Sequence, residues 1–327
     1  MKRRFAVVAF ILAGWLCFVQ HAAAQDRKLP KIGEIWGATS AEEIAPYRQP
    51  FLKRMRELGW IDGKTAQFIV RYYGQKSGNV AEVAKELIAQ KVDVLVVSDF
   101  AWRGAREATT TTPIVCMDMY DPVAEGATTS LARPSGNMTG VSWQSFDTAA
   151  KRVELAKDFM PNLKRAALIY DATDQGSVIE SGGFVQGAKK VGIRLDVFAL
   201  RGLKDIDLAI ASIKNSRPDA LFVAVNPFTI VHLSKITKLA AEARIPTVSE
   251  IAEFVKAGFL LSYGVNIDET YLRAADLTHR ILKGAKPRDL PFEQPTKFDL
   301  VVNLKTAKAL GIKIPESIML RATVVIR

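Results

Sequence analysis

The stretch Asp93–Val123, DVLVVSDFAWRGAREATTTTPIVCMDMYDPV, constrains the fold more than any other part of the chain. It holds two apolar runs, Val94–Val97 and Pro113–Met117. Ser98 and Asp99 follow the first, and Asp118, Tyr120, Asp121 and Pro122 follow the second. A run that is apolar throughout, rather than alternating, is what a parallel strand covered on both faces requires. Parallel neighbours need a crossover, and a short helix-like run lies between these two. Polar residues just past the carboxyl ends of two such strands stand where an open α/β sheet places its ligand. The stretch therefore reads as half of a small-molecule cleft.

The same alternation runs along the rest of the chain. Strands are expected at Lys31–Trp36, Gln67–Tyr72, Gly140–Trp143, Arg165–Tyr170, Arg194–Phe198, Ala220–Val225, Pro246–Ser249, Phe259–Ser262 and Phe298–Val302. Capping patterns open helices at Ser40-x-x-Glu43, Asn79-x-x-Glu82, Ser177-x-x-Glu180 and Asn266-x-x-Glu269. Further helices are expected over Asp147–Phe159, Asp205–Asn215, Phe228–Ala243 and Leu304–Leu310, with Pro161 and Gly311 as stops. The class is α/β, with doubly wound parallel sheets. Val92-Asp93 before VLVVSDF is echoed by Pro218-Asp219 before ALFVAVNPF. Thr112-Pro-Ile-Val is echoed by Ile245-Pro-Thr-Val. Two similarly built lobes are expected, one from residues 25–142 and 250–288, the other from 143–249 and 289–327.

The first 24 residues read as a secretory leader: Lys2, Arg3 and Arg4, an apolar Phe5–Val19, then Ala22–Ala24 before the cut. The apolar run is short for a membrane span. The 327-residue chain stays long enough for two domains without it, and a soluble periplasmic product is expected. Beyond Cys17 in the leader the sequence has Cys116 alone, so no internal disulfide is expected. Cys116 reads as a small buried hydrophobe. The net charge of +11 comes from bases scattered among acids, as at Glu82/Lys85/Glu86, with no dense run to grip a phosphate backbone. Nucleic acid is not an expected partner.

Catalytic signatures are sparse. No G-x-S-x-G, P-loop, H-E-x-x-H or G-x-G-x-x-G occurs, and His232 and His279 lie far apart inside expected helices. Neither a metal nor a cofactor is expected. Asp118 and Asp121 form a D-x-x-D pair, but Asp121-Pro122 suits a turn at least as well. A binding site asks for less: strand-end polar groups, helix N-termini and aromatic walls. Trp36 and Gly37 end the first strand. Ser98, Asp99 and Phe100 follow the first apolar run, and Tyr120 and Asp121 the second. Trp143 follows the segment leaving the first lobe, Tyr170 and Asp171 end a strand of the second, Asn226 ends its buried strand, and Tyr263 follows the returning segment. Each also has a plain role: Trp36 and Trp143 as core plugs, Asn226 as a helix-start turn.

Several phrases resemble the substrate-binding proteins of ABC transporters of the tryptophan/tyrosine type, a branch of the type I periplasmic binding proteins. They are FLKRMRELGWIDGK (51–64), ATTTTPIV (108–115), Asp121-Pro122-Val123, SLARPSGNMTGVS (130–142) and LPFEQPTKFDLVVNLKTAKALGI (290–312). The resemblance implies two lobes joined by three crossing segments, a small-molecule ligand gripped between them, and delivery to ABC permease subunits in the inner membrane. It implies a polar or aromatic ligand such as an amino acid or aromatic acid, no catalysis by this chain, and a monomer. Where many members carry a Gly-Thr-Pro-like loop this chain has Ser98-Asp99-Phe100, a carboxylate that suits an ammonium or a hydroxyl-rich ligand. Two other readings stay open at this point: a ligand-sensing subunit for a membrane receptor, and an exported enzyme using Asp118 with Asp121 or Tyr170 with Asp171.

Overall fold

The computed structural model describes residues 29–74, 79–98 and 101–327. The expected leader, residues 1–24, and the candidate site residues Asp99 and Phe100 lie outside the described residues.

Two separate sheets account for the strands. The first holds β1 (Lys31–Trp36), β2 (Gln67–Tyr72), β3 (Val94–Val97), β4 (Ile114–Met119) and β5 (Met138–Ser142) in the order β2-β1-β3-β4-β5, all parallel. The second holds β6 (Arg165–Asp171), β7 (Arg194–Leu200), β8 (Ala220–Val223), β9 (Thr247–Ser249), β10 (Leu261–Val265), β11 (Phe298–Asn303) and β12 (Val324–Ile326). Its order is β12-β11-β10-β9-β8-β6-β7. β10 and β11 run antiparallel, because β11 enters this sheet directly from a crossing segment rather than through a covering helix.

The apolar runs behave as their composition requires. Every residue of β3 and of β8 is buried, since helices cover both faces. On one face of the first sheet the helices Ala41–Glu57 and Ile267–Leu282 pack through Phe51, Met55, Ala274 and Leu277. On the other, the helices Val80–Ala89 and Trp102–Ala108 contribute Ala84, Leu87, Trp102 and Ala105. The second sheet repeats this with Val153, Phe159 and Phe184 on one side and Ile206, Ile213, Ile236 and Phe254 on the other. Each buried Leu, Ile or Phe is worth about 1.5–3 kcal/mol relative to exposure, so each lobe carries its own core.

The chain passes between the lobes three times, as the resemblance implies, but the second passage lies later than the sequence suggests. Residues 250–265 belong with the second sheet: β10 pairs with β9 at Leu261↔Val248 and Ser262↔Ser249. The returning Phe259–Ser262 run reads in sequence like a departing strand, yet its apolar residues fill the second core. The passage falls at Asn266, whose side chain caps the helix Ile267–Leu282 by accepting from Glu269 N at 2.8 Å. The third passage also lies later than 289, because Leu290 and Phe292 pack with the first lobe.

The three passages are laced to one another. Ser142 N donates to Glu293 O and Glu293 N to Gly140 O, both at 2.8 Å. Asn266 N donates to Lys297 O at 2.9 Å, and its Nδ2 to Asp299 Oδ2 at 2.7 Å. Arg273 reaches both Glu269 and Glu293, and Lys297 N reaches Glu269 Oε2 at 3.0 Å. At the first passage Gln144 holds a left-handed backbone, φ 54°.

Three of the four expected capping boxes differ from expectation. Ser40 and Asn79 make no side-chain cap; Glu43 instead holds Thr39 through its N and Oγ1. At Ser177-x-x-Glu180 the helix starts earlier, at Gln175, with Asp174 as its cap. Glu180 is spent elsewhere, in a buried ion pair with Arg152.

Candidate functional site

Both sheets point their carboxyl ends at one cavity of about 430 Å³, within the usual range for small-molecule sites. The first lobe supplies most of the wall. Trp36 ends β1, and its indole is held from below: Nε1 donates to Glu34 Oε2 at 3.0 Å. Glu34 is fully buried and takes two further bonds from Arg48, at 2.7 and 2.6 Å. A carboxylate buried inside a strand is tolerated only with such charge-assisted partners, and the result is a fixed rotamer for Trp36. Gly37 leaves room for Tyr73, since a Cβ there would lie 2.6 Å from the phenol oxygen.

Ile44 and Tyr47, one turn apart on Ala41–Glu57, add apolar surface. Tyr271 from Ile267–Leu282 meets both Trp36 and Tyr47, with ring centroids 5.9 and 6.4 Å apart. Its hydroxyl donates to Asp118 Oδ2 at 3.0 Å. Burial first, and then the Asp118 charge, raise the Tyr271 phenol well above its ordinary value, so it stays a donor.

Ser98 follows β3, nearly buried, and its Oγ has no hydrogen-bond partner among the described residues. Tyr120 follows β4 and meets Trp143 edge to face at 6.1 Å. The Trp143 Nε1 is likewise buried without a partner among the described residues.

The second lobe contributes Val225, Asn226, Ile230, Val231 and Ile251. Asn226 is fully committed: its Oδ1 accepts from Thr229 N at 2.9 Å, its N–H donates to Thr229 Oγ1 at 3.0 Å, and its Nδ2 donates to Ser177 Oγ at 3.1 Å. It forms the wall as the cap of a helix start. Tyr120 bridges the gap, with its hydroxyl donating to Val225 O. Beside it Arg103, which also covers the Trp102 ring, donates to Gln175 Oε1 across the cleft.

Of the residues the sequence singles out, the cavity gathers Trp36, Gly37, Ser98, Tyr120, Trp143 and Asn226. Four others stand outside it. Asp121 Oδ1 accepts from Val123 N and Ala124 N, the turn role its Asp-Pro context allows. Asp171 Oδ1 accepts from Thr173 N and Oγ1. Tyr170 packs against the second core, and Tyr263 stacks on Phe298 at 5.7 Å. The carboxylate pair of the enzyme reading is thereby split, with Asp118 on the cavity and Asp121 in its own turn.

Sequence reasoning misses Tyr47, Tyr73 and Tyr271. Tyr271 had no signal, because it follows a helix start rather than a strand end. The lining carries six aromatic rings and two acids, Glu43 and Asp118, and no Lys, Arg or His among the described residues. Among the described residues no cluster of His, Cys, Asp and Glu could hold a metal ion, and no helix is long and apolar enough to cross a membrane.

The family model described as "ABC transporter substrate binding protein" matches residues 40–326. The chain is similar to the tyrosine-binding protein of Clostridioides difficile (strain R20291), 25% identical over 268 residues, which cover 81% of this chain and 76% of the relative. Among solved structures it is similar to an ABC domain from Streptococcus pneumonia in complex with L-Trp: TM-score 0.84, 25% identity, 91% of this chain and 100% of that one. Against a ligand-free, open substrate binding protein from Clostridium difficile the TM-score is 0.70 at 23% identity, over 91% of this chain and 99% of that one.

Proposed function

Because the chain belongs to the family of ABC transporter substrate binding proteins, we propose that it captures a small aromatic ligand between its lobes and presents it to an ABC permease. The observation that carries this reading is the aromatic-walled cavity between the two sheets, with Tyr120 reaching across from one lobe to the other. Six rings around about 430 Å³ suit one flat guest. The two acids of the wall, Glu43 and Asp118, favour a guest that brings an ammonium over one that brings a carboxylate alone. An aromatic amino acid is therefore preferred to an aromatic acid, in keeping with the tyrosine and L-Trp of the similar proteins. Trp143 Nε1 and Ser98 Oγ offer hydrogen bonds to its polar groups.

The protein acts as a periplasmic monomer, opening and closing on the microsecond-to-millisecond scale of hinge motions, and it leaves its ligand chemically unchanged. A thermal-shift and calorimetry panel of aromatic amino acids, their deaminated acids and aliphatic amino acids tests the reading. An aromatic amino acid at 100 times its dissociation constant adds about 2.7 kcal/mol to stability. A panel without a single stabilising compound refutes it.

A further inference from the structure

Tyr120 and Gly176 bring the two lobes into contact beside the cavity, at a residue, Gly176, that does not itself line it. Tyr120 belongs to the first lobe and is almost fully buried. Gly176 lies in the first turn of the helix Gln175–Lys190 in the second. A Cβ built on Gly176 would fall 2.6 Å from Tyr120 Cε2, 2.7 Å from Cγ, and nearer still to Cδ2. Side chains do not approach ring carbons so closely, so the ring and a methyl group cannot share this place. Gly176 is not among the glycines with positive φ, so its own backbone does not demand glycine. Within a helix glycine costs stability relative to alanine. The ring from the other lobe accounts for its presence at 176.

The neighbours of the ring join the same contact to the cavity. The Tyr120 hydroxyl reaches Val225 O, next to Asn226. Asn226 in turn holds Ser177, the residue after Gly176. Trp143 lies edge-on to the same ring and lines the cavity. One aromatic side chain thus touches the first passage between lobes, the cavity wall and the seat on the opposite helix.

We propose that Gly176 is the seat of a closure lock: Tyr120 completes the closing of the lobes only because position 176 has no side chain. Gly176 is a positioning residue, acting through Tyr120 on how long the lobes stay shut. This rests on the reading above that the lobes close around a ligand. A methyl group at 176 sits in open space when the lobes part and blocks the ring when they meet. It leaves the opened fold intact and shortens the closed state.

The test follows closure directly. Arg103→Cys and Gln175→Cys place thiols on residues that touch across the cleft, with Cys17→Ser to remove the leader thiol and Cys116 fully buried in β4. A short bismaleimide then joins the lobes when they are shut. With Gly176→Ala added, cross-linking slows about tenfold, the scale expected when a packed contact is overfilled. The urea midpoint of the uncross-linked protein does not fall, and alanine's better helix propensity raises it slightly. In a Tyr120→Ala background, Gly176→Ala has no further effect, because the clashing ring is gone. Equal cross-linking rates with and without Gly176→Ala overturn the proposal. So does a slowing that persists in the Tyr120→Ala background, or a fall in the urea midpoint, which would place the contact in every conformation rather than in the shut one.

L-Tryptophan, used as a probe, leaves the Gly176→Ala protein about tenfold faster while its association rate is unchanged. Unaltered dissociation from a variant that binds it contradicts the lock. Unmodified protein that binds neither L-tryptophan nor L-tyrosine contradicts the choice of ligand, and the cross-linking rates still decide the lock.

Discussion

Replacing Glu180 with glutamine changes how the stability of the second lobe depends on pH. Arg152, Glu180 and Glu250 are all fully buried. Arg152 donates to Glu180 Oε1, to Glu250 Oε1 at 3.1 Å and to Thr148 Oγ1 at 3.1 Å. Two carboxylates thus share one guanidinium, and Glu180 Oε2 and Glu250 Oε2 have no partner among the described residues. Burial, together with repulsion from Glu250, outweighs the attraction of Arg152 and pushes the Glu180 carboxyl up to about 8. Burial raises Glu250 as well. The folded chain therefore keeps a proton here that the unfolded chain has released above its ordinary glutamate value of 4.5.

The folded pKa is the higher one, so the stabilisation is complete below about 4.5 and is lost as pH rises through about 8. At about 1.4 kcal/mol per unit the loss reaches at most about 5 kcal/mol, and coupling to Glu250 and Arg152 reduces it. Glu180→Gln cannot ionise, and its amide oxygen still accepts from Arg152. Urea midpoints measured from pH 5 to pH 9 should fall by several kcal/mol equivalents for the unmodified protein and distinctly less for Glu180→Gln, in which Glu250 is the one raised carboxyl left in the cluster. Parallel profiles would refute the assignment of the proton to this cluster. As a second arm, Arg152→Met leaves both acids buried without a counter-charge and should cost about 3–5 kcal/mol at pH 7.

Tyr120→Phe removes the bond to Val225 O while keeping the ring, and should weaken binding of an aromatic ligand by about 1 kcal/mol in calorimetry, mostly through faster release. Asp174 caps Gln175–Lys190, and burial first, then Asp171, push it up to about 6; across the cleft burial also raises Glu125, which Arg103 and Trp102 face. The folded Asp174 pKa is the higher one, so its stabilisation is complete below about 3.8 and is lost as pH rises through about 6; Asp174→Asn, itself a good cap, should flatten that part of the pH profile in urea melts. Gly183 lets the helices Ser145–Phe159 and Gln175–Lys190 touch, its missing Cβ lying against Phe146 O; Gly183→Ala should lower stability by about 1–3 kcal/mol in urea melts.

The strands of the organising stretch were legible because burial on both faces leaves no freedom of composition: Val94–Val97 matches β3 residue for residue, and β1 and β2 match equally. Helix starts were less so. Glu180 carries a capping pattern in the sequence, yet its carboxylate serves Arg152, a partner 28 positions away that no local rule reveals. The single helix expected over Phe228–Ala243 is two, Pro227–Val231 and Leu233–Ala243, meeting at His232. The helices Ala252–Lys256 and Glu316–Arg321 and strand β12 are short, and had no periodic signal. In the site, strand-end reasoning reached Trp36, Ser98, Tyr120 and Asn226. It overreached at Asp121 and Asp171, where a short acid finds backbone amides two or three residues on before it can reach a ligand. It had no means of reaching Tyr47 and Tyr271, which come from helix faces.

The crosswise bonds among the three passages, Ser142 with Glu293 and Asn266 with Lys297, make the joint behave as a ribbon rather than three loose strings. A ribbon flexes readily about the line along its width and resists sliding of one edge past the other. In the closure proposed above, each stroke then returns the same wall atoms to the same places, whatever guest is present. On that proposal selectivity is a property carried by the empty molecule, and a poor guest is met by a mould that does not bend to fit it.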